Sequence, residues 1–245
     1  MDRWSASDAN AWWASRAWVC GFNYLPSTAV NFLEMWHPDS FDRATIEREL
    51  GWAAAIGYNA VRTNPHFLVW KHDRDGLLER IDWFLGVADK VGIASVPCLF
   101  DDCGFGGAEP VYGPQPEPVP GVHNSRAVAS PGREAVMDRS LWPELEHYVR
   151  DVTRAFRIDR RVLFWDIYNE PGNRMQFTAH GLELFDAPLE PHALALMEAA
   201  FGWMRDEAPE QPLTVAAWSA PPPAADAPRP PYETEIDRSA LRHSD

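Results

Sequence analysis

Apolar residues recur along this chain in two rhythms that take turns. Short runs rich in Val, Ile, Phe, Tyr and Trp, each too short for a helix and bounded by turn residues, read as strands at about 17–23, 58–64, 93–100, 162–169 and 213–218. Between them, apolar positions fall three and four apart, which is helical spacing. Asp8 caps a short helix over 9–14. Asp42 starts a helix carrying Ile46, Leu50, Ala53 and Ala54 on one side, with Gly57 as its stop. A helix over 75–91 carries Leu77, Leu78, Ile81, Leu85 and Ala88 and stops at Gly92. Ser140 is the expected cap of a helix striped by Leu145, Tyr148, Val149, Val152 and Phe156. Pro191 opens another along Leu194, Met197, Ala200, Phe201 and Met204, and 232–243 reads as a last one. Strands alternating with helices imply βαβ units and a parallel sheet. Pro97 interrupts a buried strand and deletes a ladder donor, so a bulge is expected there.

Two stretches show neither rhythm. Residues 104–139 are rich in Gly and Pro and follow the end of a strand, which favours a binding loop. A Pro-rich link at 220–231 precedes the last helix. No boundary for a second domain is apparent, so 1–245 reads as one domain. A closed (β/α)₈ barrel takes about 250 residues, yet the loops consume length and only about five βα units are legible. The chain reads as an α/β fold of the (β/α)₈ barrel type that is incomplete, stopping where a sixth strand would begin.

Composition narrows the partners. Acidic residues outnumber basic ones, 36 against 22, for a formal charge of -14, which argues against nucleic acid or an anionic membrane. No apolar run is long enough to span a membrane, and the opening residues lack the apolar core of a signal peptide. Cys20, Cys98 and Cys103 show no zinc spacing, so reduced thiols and a cytoplasmic location are expected, with no cofactor and no metal. Tryptophan is abundant at 12 residues; it is core material that also stacks on sugar rings.

The chemistry collects at strand ends. The run Val162-Leu163-Phe164-Trp165-Asp166-Ile167-Tyr168 ends in Asn169-Glu170, and Pro171-Gly172-Asn173 then forces a turn. Other strand ends present Asn23, then Arg62 with Asn64 and His66, Asp101 with Asp102, and Trp218. In a parallel α/β fold all of these emerge at one rim. Glycoside cleavage needs two carboxyl groups flanking the scissile bond, one of them protonated, and a Glu on a crowded rim suits that role.

Trp165-Asp166-Ile167-Tyr168-Asn169-Glu170-Pro171 resembles the fourth-strand motif of clan A retaining glycoside hydrolases, the cellulase, mannanase and β-xylosidase-like (β/α)₈ enzymes. Gly21-Phe22-Asn23-Tyr24, Asn59-Ala60-Val61-Arg62, Phe100-Asp101-Asp102-Cys103 and Gly121-Val122-His123-Asn124 are similar to the same group. The resemblance implies that Glu170 is the general acid/base, that Asn169 bonds the sugar's 2-hydroxyl, and that Arg62 sits under the nucleophilic carboxylate. The bottom-up alternative for Arg62 is a structural ion pair, with Asp166 as partner. Asn64, His66, Asp101, Asp102, His123 and Asn124 would line the sugar site, and Trp36 and Trp218 are stacking candidates.

The sequence departs from the family where the nucleophile should be. Family members carry that Glu at the end of a seventh strand, which is not legible here; Glu233 and Glu235, the late Glu residues, lie on the predicted last helix. The expected function is therefore cleavage of β-linked oligo- or polysaccharides with one carboxylate missing from this chain, and little turnover from it alone. Two other readings stand beside it: a sugar-binding or inactive relative, and a metal-dependent barrel hydrolase or isomerase using His66, Asp101, Asp102 and His123. Carbohydrate is the expected partner, and self-association through the open sheet edge is the other.

Overall fold

The computed structural model describes residues 1–218 and 234–245. Local chemistry sets most element boundaries. Ser5 caps α1 (Ala6–Ala14) by accepting from the Asp8 N–H, one turn earlier than expected. After β1 (Gly21–Asn23), Asn31 caps a short helix α2 (Phe32–Trp36), and Asp42 caps α3 (Arg43–Ala55) as its position predicts. Then come β2 (Ala60–Thr63), α4 (Phe67–His72), α5 (Arg74–Lys90) and β3 (Ala94–Asp101). The loop beyond β3 holds one short helix, α6 (Arg133–Met137), and leads to α7 (Trp142–Phe156). Ser140 does not cap α7, a correction to the sequence reading. Asp138 instead accepts from the Ser140 N–H and Oγ, capping the single 3₁₀ turn Arg139–Leu141 ahead of the helix.

The chain continues through β4 (Trp165–Asn169), β5 (Met175–Thr178), β6 (Gly181–Leu184), α8 (Leu189–Asp206), β7 (Leu213–Ala216) and α9 (Glu235–His243). Thr234 and Asp237 close a reciprocal capping box on α9. Five strands form one parallel sheet in the order β1-β2-β3-β4-β7. Strands β5 and β6 form a separate antiparallel hairpin that periodicity does not reveal, because none of its positions is buried and no face alternates. Among the described residues β1 and β7 do not pair with each other, so the parallel sheet stays an open part of a barrel.

The main core lies between the sheet and the helices. Leu50, Leu77, Leu85, Val149, Val152, Met197 and Phe201 meet Val61, Leu99, Trp165 and Ile167 there. The opposite sheet face carries only Ala60, Val96 and Leu163, with half-buried Trp12, Val19, Ala94 and Phe164 against them. Pro97 itself keeps the β2 register without a bulge, and the extra residue lies instead on the segment leading into β4. Ser95 bridges Val162 while Cys98 pairs with Asp166, so three steps along β3 match four beside it. The Pro-rich link at 220–231, with Tyr232 and Glu233, lies outside the described residues.

Candidate active site

β4 supplies the site because of how it ends. Asp166 pairs with Thr214 and Asn169 with Ala216, so three steps on β4 face two on β7. That bulge breaks the strict alternation of a strand, and Glu170 follows with φ 49 in the left-handed region. Consecutive residues Asn169 and Glu170 therefore line the same cleft. The Asn173 N–H donates to the Glu170 carbonyl at 3.0 Å, with Pro171 second and Gly172 third in the turn. Gly172 sits at φ 83, and a Cβ there would meet Glu190 and Ile236 at 3.1 Å. Proline second and glycine third is the type II preference, so the sequence Glu-Pro-Gly-Asn dictates this turn. It carries Asn173 back under Glu170, where its Nδ2 donates to Glu170 Oε2 at 2.7 Å. The Cys103 thiol donates to the same oxygen at 3.1 Å.

Arg62 ties the rim together from β2. Its Nε donates to Asp166 Oδ2 at 2.7 Å, its Nη1 to Asn23 at 3.1 Å and its Nη2 to Asn169 Oδ1 at 2.7 Å. The ion pair with Asp166 exists, and the same guanidinium orients Asn169. The Asn169 Nδ2 donates to Asp101 Oδ1 at 2.9 Å, and Asn64 donates to Asp101 Oδ2 at 3.1 Å. Burial raises the Asp101 carboxyl, against the bonds from Asn169 and Cys103 that favour its charge. Burial, with Asp101 and Glu170 alongside, likewise pushes the Cys103 thiol up, so it stands there as a neutral donor.

The cleft, about 310 Å³, brings together Asn23, Arg62, Asn64, Asp101, Asn124, Asn169 and Glu170. Five other expected site residues lie elsewhere. Trp36 is fully buried in the core against Phe41 and Phe84 and offers no face to a sugar. His66 is fully buried, its Nδ1 accepting from the Leu68 N–H while Nε2 faces the Ala129 carbonyl at 3.2 Å. Burial takes its imidazole down to about 4, so it is neutral with Nε2 as donor. The Asp102 side chain turns away from the cleft, accepting from the Tyr168 hydroxyl at 2.9 Å and the Gly172 N–H at 2.7 Å. His123 is exposed and packs on Phe177 and Phe105 outside the cleft lining. Trp218 lines a separate cavity of about 210 Å³ behind the turn, with Pro171, Gly172 and Glu235. Trp165, in the same strand motif, is a core residue whose Nε1 donates to Gln211. Among the described residues no group of three His, Cys, Asp or Glu converges as metal ligands, and both His66 nitrogens are engaged.

Sequence reasoning missed Arg133 and Asn173. Arg133, buried below the loop, donates from Nη2 to the carbonyls of Asp102, Asn173 and Met175, locking the turn that carries Glu170. Only Asn173 had a signal, its place in the Pro-Gly-Asn turn.

No family model matches the chain, and no curated protein matches it. Solved structures do. An exo-β-1,4-mannosidase from Opitutaceae bacterium strain TAV5 matches with a TM-score of 0.52 at 20% identity, over 80% of this chain and 31% of that one. A β-1,4-mannanase from the common sea hare Aplysia kurodai matches with 0.52 at 15% identity, over 82% of this chain and 60% of that one. GH5_18 from Streptomyces cattleya, solved with GlcNAc, gives 0.51 at 16% identity over 80% and 44%. This chain has the fold of the glycoside-hydrolase barrels. It spans 31% to 60% of the length of these three glycoside hydrolases. The likeness read from the strand motifs thus holds at the level of fold.

Proposed function

We propose that this chain carries the acid/base half of a retaining β-glycoside hydrolase, acting on O-glycosidic bonds of β-linked oligo- or polysaccharides of the mannan or glucan type. The observation that supports it is Glu170 itself. A bulge, a left-handed residue and a type II turn hold its carboxyl in the cleft, with Oε2 occupied by two donors. In this reading Oε1 gives the proton to the leaving oxygen, Asn169 holds the sugar's 2-hydroxyl, and Arg62 orients Asn169. A retaining mechanism needs a second carboxyl about 5–5.5 Å from the first. Among the described residues the other carboxylate in the cleft is Asp101, bonded on both oxygens and only 6% exposed. Glu235 is held by Arg238 and Arg242 and lines the other cavity. In this reading the nucleophile comes from none of these described carboxylates.

The same observation supports the sugar-binding alternative, since a cleft whose second carboxylate, Asp101, is bonded on both oxygens binds without cleaving. Calorimetry with β-1,4-mannotetraose and cellotetraose tests both readings: residues 1–245 should bind at least one, with little or no turnover of aryl β-glycosides. No binding at millimolar sugar would sink the proposal. In a polypeptide extended by strands that bear a second strand-end Glu, Glu170→Gln should slow cleavage of unactivated oligosaccharides by about 10²–10⁴-fold, the usual worth of general acid catalysis.

A further inference from the structure

The two sides of the cleft differ in chemistry. The β2–β4 side offers carboxylate, amide and guanidinium groups. The far side, from the β1–α2 loop and the 124–128 segment, offers half-buried Leu25, Val30, Phe32, Ala127 and Val128. Of the polar side chains there, Asn124 is exposed with its Nδ2 facing His123 Nε2 at 3.1 Å, and Asn31 is spent. Its Nδ2 donates to Gln115 Oε1 at 2.9 Å and to the Arg126 carbonyl at 2.8 Å, while its Oδ1 accepts from the Glu34 N–H at 2.9 Å. Part of the main chain is spent as well: the Val30 N–H donates to Glu34, the Ala127 N–H to Asn124, and the Ala127 carbonyl accepts from Gly106. A sugar ring laid on Leu25, Val30 and Val128 would set hydroxyls against hydrocarbon, at a cost that selects against it. Among the described residues no tryptophan lines the cleft; its aromatic side chains are Tyr24, Phe32 and Phe105.

We infer that this wall receives an apolar group, alkyl, aryl or acyl, attached to the glycoside whose bond lies at Glu170. The inference rests on the glycoside reading above and narrows its substrate class from bare polysaccharide to a β-glycoside with a hydrophobic substituent. Strands β1 and β4 are three strand spacings apart, about 14 Å, so the group reaches across the rim from the scissile bond. Its binding free energy comes from covering Leu25, Val30 and Val128, with water released from both surfaces.

Calorimetric titration of residues 1–245 with methyl, butyl and hexyl β-D-mannopyranosides, the matching glucosides, and β-1,4-mannotetraose provides the test. Affinity should climb about fourfold per added methylene, the worth of a fully buried one. The paired change Val30→Thr with Val128→Thr, close in shape but hydroxylated, should cut that slope below about twofold. If this pair fails to fold by circular dichroism, Ala127→Ser on the same wall gives the same comparison. Tetraose binding with hexyl no tighter than methyl overturns this inference and leaves the glycoside reading standing. A slope untouched by the wall substitutions overturns it too, because the chain would then be binding elsewhere. Failure of every sugar to bind overturns both.

Discussion

Asp102 and His66 flank the site, are both fully buried, and titrate in opposite senses. Burial holds the Asp102 carboxyl up to about 7, against the Gly172 and Tyr168 bonds that favour its charge. Unfolded, it titrates near 4. Between those values the folded chain holds the extra proton, so this group's stabilisation is present at low pH and lost as pH rises from about 4 to about 7. His66 titrates at about 4 folded and near 6.5 unfolded. Its contribution is complete above 6.5 and is lost as pH falls towards 4. Each effect is on the order of a few kcal/mol at its extreme, and over the shared window they offset. Asp102→Asn keeps an acceptor for the Gly172 N–H and removes only one of the two slopes. The variant's thermal midpoint should therefore fall more steeply than the wild type's between pH 6.5 and 4.5. Parallel midpoint curves would show that Asp102 does not titrate in that window.

Among the elements, the turn after β4 was legible and the bulge before it was not. Glu-Pro-Gly-Asn carries its geometry locally, since proline sets one φ and glycine tolerates another. The bulge depends on how β4 meets β7, two strands far apart in sequence. The 104–139 loop supplies Phe105, Asn124, Ala127 and Val128 to the cleft, beside Cys103. What holds it was invisible, because Asn31 reaches it across 95 residues of chain to bond the Arg126 carbonyl. Asn31 is 3% exposed and also caps α2. Asn31→Ala should cost on the order of 2 kcal/mol, a lost cap plus buried groups left unpaired. Limited proteolysis should then cut the 104–128 segment markedly faster than in wild type. An unchanged cleavage rate would show that the loop does not depend on this anchor.

For the whole molecule, the open sheet sets the behaviour. The outer strand β1 is only partly covered, Trp18 beside it is 82% exposed, and the sheet's inner face holds a cavity of about 270 Å³ lined by Val19, Phe22, Val96 and Phe164. Unpaired edges beside exposed apolar surface invite pairing with another chain. Self-association is accordingly expected: sedimentation velocity should show the weight-average coefficient rising with concentration, and Val19→Lys should suppress the rise. A coefficient independent of concentration up to the millimolar range would refute it. Among the described residues no helix is long and apolar enough to cross a membrane.

Taken alone, the sequence determined the alternation of strands and helices, the parallel sheet, the turn that presents Glu170, and the strand ends at which Arg62, Asn64, Asp101 and Asn169 stand. These follow from periodicity and from backbone preferences that act over a few residues. It also set Trp36, His66, Asp102, His123 and Trp218 among the site candidates, and the structure leaves them out of the cleft lining. Which side of a strand-end loop a residue faces depends on what packs against it, and His66 and Asp102 turn toward the Ala129 carbonyl and the Tyr168 hydroxyl. Only the tertiary structure could decide that Arg62 serves Asp166 and Asn169 together, that Cys103 and Asn173 share one oxygen of Glu170, and that the far wall of the cleft is apolar. Each of these depends on register between elements distant in the chain, where no local pattern records the partner.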